Sequence, residues 1–156
     1  MNINIIAVGK LKEQYLKEAF NEYEKRLSSF CKLHVTEIPP EQINDEALSE
    51  KYKELEADKI LQAIKPDSYI ITLEIKGKKL TSEGFAQKIK ETANNGVNDI
   101  SFIIGGANGL SKRVSAVSNF KLSFSDMTFT HQMIRILLTE QIYRAFKINA
   151  NEQYHR

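Results

Sequence analysis

The stretch Ile100-Ser-Phe-Ile-Ile104 followed by Gly105-Gly-Ala-Asn-Gly109 decides how this 156-residue chain is read. A short apolar run bounded by turn residues marks a buried strand. Glycine directly past its end lets the backbone approach a ligand closely. Leu110-Ser-Lys-Arg113 then opens a short helix. A second strand-like run, Phe120-Lys-Leu-Ser-Phe-Ser125, leads into Asp126-Met127-Thr128-Phe129-Thr130-His131, and the most apolar helix of the chain follows from about Gln132 to Phe146. Two strands that each end in an unusual loop, with a buried helix behind them, build a ligand pocket at the carboxyl ends of strands.

Working outward, the upstream chain reads as scaffold. Asn2 to Val8 is a β-branched run and so a buried strand. Leu11, Tyr15, Ala19, Tyr23 and Leu27 recur every four residues, beside Leu16 and Phe20, which predicts an amphipathic helix. Leu33 to Ile38 is a second strand, stopped by Pro39-Pro40. Asp45 to Ile64 is a charged surface helix with Leu48, Tyr52, Leu55, Ile60, Leu61 and Ile64 as its apolar face, and Pro66-Asp67 marks a turn. Tyr69 to Leu73 is a third strand, with Glu74 to Lys79 as a loop. Thr81 or Ser82 caps a helix with Phe85, Ile89 and Ala93 on one face, closed by Asn94-Asn95-Gly96. Strands and helices alternate throughout, so the expected fold is a single α/β domain over 1–156 with a mostly parallel sheet flanked by helices.

Composition narrows the function. The chain is 42% apolar and 27% charged, as a folded soluble domain is. A formal charge of only +2 confines any nucleic-acid binding to a local patch. The single cysteine, Cys31, excludes an internal disulfide and a cysteine-based zinc site, which fits a reducing compartment. No signal-peptide pattern opens the chain, and no apolar run nears the ~20 residues that span a bilayer. The expected location is the cytoplasm.

Several loops are candidates for chemistry. The glycine loop is neither a dinucleotide-binding fingerprint nor a Walker A loop, because the spacing and the Lys-Ser/Thr pair are missing; read alone, it is equally a tight turn. Met127 and Phe129 either wrap an apolar ligand or plug the core. The last helix is apolar nearly all round, which points to burial on several sides and to a subunit interface. Glu140 and Arg144 lie four apart and can pair, so Arg144 is either a structural partner or a functional cation. The tail, Tyr154-His155-Arg156, combines groups suited to stacking on a base and gripping phosphate. Lys76, Lys78, Lys79, Lys112 and Arg113, expected in loops, would add a basic rim. His131 and His155 are too few for a metal site, and there is no nucleophile-elbow motif.

Taken together, the glycine loop after strand four, the Leu-Ser-Phe-Ser…Thr-Phe-Thr-His segment, Glu140-Gln-Ile-Tyr-Arg144-Ala, the final Tyr-His-Arg and the opening Ile-Ile-Ala-Val-Gly-Lys closely resemble the small bacterial SPOUT-class methyltransferases. Those enzymes modify N3 of a pseudouridine in large-subunit (23S) ribosomal RNA. The resemblance implies a deep C-terminal trefoil knot over roughly 100–150, against the general rule that chains do not thread loops. It further implies a homodimer, with S-adenosylmethionine bound by Leu73, Gly105, Phe124, Ser125, Asp126, Met127, Thr128 and Phe129. No metal is implied. Where relatives often carry proline near the start of the last helix, this chain has Thr130, a change expected to alter loop stiffness.

On that reading Arg144 stabilises charge on the base, His155 accepts the N3 proton with His131 as second candidate, Tyr154 stacks on the base, and Arg156 holds a phosphate or an oxygen. The rRNA target would sit in a ribosomal particle. The competing readings are a non-catalytic RNA- or ribosome-binding or nucleotide-sensing module, and a methyltransferase acting on tRNA.

Overall fold

A computed structural model describes residues 1–41 and 45–154. Five strands form one sheet in the order β2-β1-β4-β3-β5, and every neighbouring pair is parallel. They are β1 (Asn2–Val8), β2 (Lys32–Ile38), β3 (Tyr69–Lys79), β4 (Asp99–Ile104) and β5 (Phe120–Ser123). The helices are α1 (Gln14–Leu27), α2 (Ser49–Ala63, entered through one 3-10 turn at Glu46–Leu48), α3 (Ser82–Asn94), α4 (Lys112–Ala116) and α5 (His131–Asn149). One row of register crosses the whole sheet: Val35, Ile5, Phe102, Ile71 and Phe120.

Both faces of the sheet are covered, which is why β1 and β4 are apolar almost without alternation. Ile3, Ile5 and Ala7 point to the side packed by α1, α3 and α5, where they meet Leu27, Phe85, Ile89, Leu138 and Ile142. Ile6 and Val8 point the other way, to Ala57 and Ile60 of α2 and Val114 of α4. A single α/β domain with a parallel sheet between helices is what the alternation of elements predicts. No helix among the described residues is long and apolar enough to cross a membrane.

Four local expectations are corrected. Leu11 precedes α1, and Tyr15 is 64% exposed, so the buried stripe of that helix is Leu16, Phe20 and Leu27. In α2 the buried residues are Glu56, Ala57 and Ile60, while Leu48 and Leu55 lie on the surface; the small Ala57 lets the helix approach the sheet. Ala93 faces solvent and Thr92 takes its place in α3, with its hydroxyl donating to the Lys88 carbonyl. Most consequential, Glu74 to Lys79 is not a loop. β3 continues through it, pairing first Leu73 and then Lys78 with Leu122 across an irregularity in register.

Candidate functional site

The carboxyl ends of β4 and β5 and the middle of β3 surround a cavity of about 420 Å³, closed on its remaining side by the first turn of α5. That volume lies within the range of small-molecule sites. β4 delivers Ile104 and then the turn from Gly105 to Gly109, in which the Gly109 N–H donates to the Gly106 carbonyl at 3.0 Å. Gly109 has a φ of +76°, which glycine tolerates without cost. Gly105 is favoured for a different reason: a Cβ there would stand only 3.0 Å from the Gly109 carbonyl carbon and 3.1 Å from the Leu110 side chain, so both would have to give.

β5 delivers the second wall. Past its end, the Ser123 hydroxyl donates to the Ser125 carbonyl (3.2 Å), and the Ser125 hydroxyl accepts from the Met127 N–H (3.0 Å). These bonds curl the loop so that Met127 is 76% exposed and Phe129 is 40% exposed at the mouth. Met127 and Phe129 are therefore neither core plugs nor ordinary surface. Thr130 caps α5, its hydroxyl accepting from the Met133 N–H at 3.2 Å. The remaining lining from β3 is Leu73, Glu74 and Ile75.

Of the eight residues expected to bind a cofactor, Leu73, Gly105, Phe124, Ser125, Met127, Thr128 and Phe129 line this cavity. Asp126 does not. It is exposed, and its carboxylate pairs with Lys79 outside.

The expected catalytic residues gather elsewhere. Glu140 Oε1 accepts from Arg144 Nη2 (2.6 Å) and Nε (3.1 Å) and from the Tyr154 hydroxyl (3.1 Å). The Arg144 guanidinium lies 4.7 Å from the centre of the Tyr154 ring, which also meets Tyr143 edge-on at 4.8 Å. Burial first, and then the Glu140 carboxylate, push the Tyr154 phenol up to about 12, so it stays protonated near neutrality. His155 and Arg156 lie outside the described residues. Arg144 is ten positions beyond Ile134, the last cavity residue on α5. Ten residues are about 15 Å of helix and roughly a quarter turn away. The two halves of the expected site are thus separated within one chain.

Arg135 escaped the sequence, and so did its pairing with His131, expected only as a second candidate base. Arg135 is only 2% exposed, donating from Nη2 to the Gly9 carbonyl at 2.8 Å with Glu37 at 3.6 Å. Burial lowers its pKa, against the pull of Glu37. One turn earlier, His131 lines the cavity; burial, then Arg135 and Lys12, lower its pKa, favouring the neutral ring. Only the i, i+4 spacing of His131 and Arg135 signals this pair. The expected basic rim is also revised. Lys76, Lys78 and Lys79 belong to β3, and Arg113 is taken up by Glu54 and Asp58 at 2.9 and 2.7 Å. Lys112 remains exposed at the start of α4.

Residues 1–155 match the family model described as "Predicted SPOUT methyltransferase". Over 160 aligned residues the chain is 53% identical to a Methanococcus maripaludis protein provisionally named ribosomal RNA large subunit methyltransferase H, covering all of both chains. Among solved structures, a methylase family protein from Haemophilus influenzae superposes with a TM-score of 0.59 at 11% identity, over 99% of this chain and 70% of that one. A Legionella pneumophila methyltransferase solved with bound SAM gives 0.52 at 12% identity, over 96% and 66%.

Proposed function

The chain belongs to the SPOUT methyltransferase family, and from that membership we propose that it methylates N3 of a pseudouridine in large-subunit (23S) ribosomal RNA, using S-adenosylmethionine. The observation that carries this is the convergence of the glycine loop and the 124–129 loop on one cavity, in a chain 53% identical to a protein named for rRNA methylation. The cavity suits the cofactor. Its walls are mostly apolar side chains, as an adenine requires, and glycines bring backbone N–H and C=O groups to its edge.

In this reading Leu73, Gly105 and the residues Phe124, Ser125, Met127, Thr128 and Phe129 hold the cofactor. When bound, it supplies an electrophilic methyl group on a sulfonium. The chain's own residues do the rest, chiefly by positioning. Arg144 stabilises the negative charge that develops on the base carbonyls as N3 gives up its proton. His155 takes that proton, because an imidazole titrates near neutrality. Tyr154 stacks on or orients the base, and Arg156 grips a phosphate or an oxygen. His131 is the weaker base, since its surroundings hold it neutral but its ring is packed against Gly9. The knot over roughly 100–150 and the homodimer belong to the same proposal; membership of the SPOUT family supports the first, and the separation of Arg144 from that cavity supports the second. An rRNA-modifying enzyme of this kind works in the cytoplasm, on a ribosomal particle.

The test is calorimetric titration with S-adenosylhomocysteine, followed by tritium transfer to ribosomes. Native protein should bind in the micromolar range (about −8 kcal/mol), and Gly105→Val should not bind, since its side chain has no room beside Gly109 and Leu110. Absence of binding by the native protein would overturn the reading.

A further inference from the structure

Among the described residues, the lining of the cavity carries a single formal charge. Glu74 is the only carboxylate there, and none of those residues is lysine or arginine. Its position is built rather than accidental. Glu74 Oε2 accepts from the hydroxyl of the fully buried Thr72 at 2.6 Å, and its two oxygens face the Ser115 hydroxyl of α4 at 2.9 and 3.1 Å. Both anchors are neutral, so they fix the carboxylate without cancelling its charge. A carboxylate has about four acceptor positions, and two hydroxyls with one proton each fill at most two of them. His131, the other titratable group on the lining, offers no compensating charge, because its surroundings favour the neutral ring.

Resting on the cofactor assignment above, we infer that Glu74 reads the charge of the ligand and makes the cavity prefer cationic S-adenosylmethionine over neutral S-adenosylhomocysteine. The amino-acid end of both molecules is a zwitterion of zero net charge, so they differ by one positive charge at sulfur. Methyl transfer breaks the carbon–sulfur bond, forms the carbon–nitrogen bond, and leaves the electron pair on sulfur. The attraction to Glu74 is lost with that step, and the product is released in favour of fresh cofactor. A single charge interaction at a partly shielded site corresponds to about a tenfold change in affinity, the equivalent of one pKa unit.

The experiment titrates native protein and Glu74→Gln with S-adenosylmethionine, sinefungin (an amine in place of the sulfonium), S-adenosylhomocysteine and neutral 5′-methylthioadenosine. Native protein should bind both cations about tenfold tighter than S-adenosylhomocysteine. In Glu74→Gln the three should fall within about twofold of one another, with 5′-methylthioadenosine binding both proteins equally. A preference that survives the substitution overturns the inference. So does a parallel loss of 5′-methylthioadenosine, which would make Glu74 a shaper of the cavity. Equal native affinity for cation and product overturns the inference and leaves the cofactor assignment standing, whereas no binding of any probe overturns both. Should the variant not fold, the native cation-to-product ratio gives the same decision: it must shrink as salt rises, and a ratio indifferent to salt overturns the inference.

Discussion

Arg135 ties the first turns of α5, which carry His131 and Ile134 of the cavity, to the end of β1. Its guanidinium sits between α5 and the end of β1, holding the Gly9 carbonyl at 2.8 Å, while the Lys12 N–H donates to Gln132 Oε1 at 2.8 Å alongside. Arg135→Ala would strand that carbonyl and leave a void, so it should destabilise the protein by about 3 kcal/mol, read as a lowered urea midpoint with an unchanged slope. A loss below ~1 kcal/mol would show that the guanidinium is not structural. His131 gives a pH signature with a definite sign. Its folded pKa lies below the ordinary 6.5, chiefly through burial. In the window just below 6.5 the unfolded chain therefore binds more protons, and stability falls as pH drops through that window towards the folded pKa. Above 6.5 the effect vanishes. His131→Gln should flatten this part of the stability–pH curve relative to native protein, and an unchanged slope would place the titration elsewhere.

At the scale of elements, the extension of β3 past Leu73 is the feature that sets the second wall of the cavity. Gly77 lies in it, and a Cβ there would come within 2.7 Å of the Lys121 carbonyl oxygen and 2.9 Å of the Leu122 carbonyl carbon, both backbone of β5. Neither can yield without moving the strand. Gly77→Ala should therefore push β5 away, at a cost of about 2 kcal/mol, and carry the 124–129 loop with it. The check is a fall in S-adenosylhomocysteine affinity of roughly tenfold measured beside the urea midpoint; a stability loss with affinity intact would uncouple the strand from the loop. This extension was illegible in the sequence because Lys76, Lys78 and Lys79 give it no apolar face, and an edge pairing needs none. Arg135 was missed for the reverse reason: a guanidinium in a helix reads as surface unless its backbone acceptor, 126 residues away, is known. Neither loop was legible alone, since glycines after a strand also make a tight turn and Met127 and Phe129 could equally plug the core; it was their combination that pointed to a pocket. The strands were legible because burial on both faces removes most polar residues from β1 and β4, with Asn4 and Ser101 as buried exceptions. The phase of α2 was not, since its buried face contains Glu56, whose carboxylate accepts from the Glu41 N–H at 3.0 Å.

For the whole molecule, the decisive relation is between the cavity at the start of α5 and the Glu140–Arg144–Tyr154 cluster near its end. Along one helix they are about 15 Å apart, further than an arginine side chain reaches, so Arg144 cannot serve the cavity of its own chain while α5 stays straight. In the proposed two-fold dimer, antiparallel crossing of the two α5 helices would bring each Arg144 towards the partner's cavity. Each active site would then draw its cofactor loops from one protomer and its Arg144 and tail from the other. Complementation decides this without any structure of the dimer. Gly105→Val should abolish cofactor binding, and Arg144→Ala should abolish turnover while cofactor still binds. Unfolded and refolded together in equal amounts, the two inactive proteins form about one half mixed dimers, each with one site intact and one doubly impaired. Activity should return to about one quarter of the native value, by random pairing of protomers, and calorimetry should find one cofactor site per mixed dimer. If instead Arg144 acted on its own protomer's cavity, every site in every mixed dimer would carry one lesion, and refolding would restore nothing.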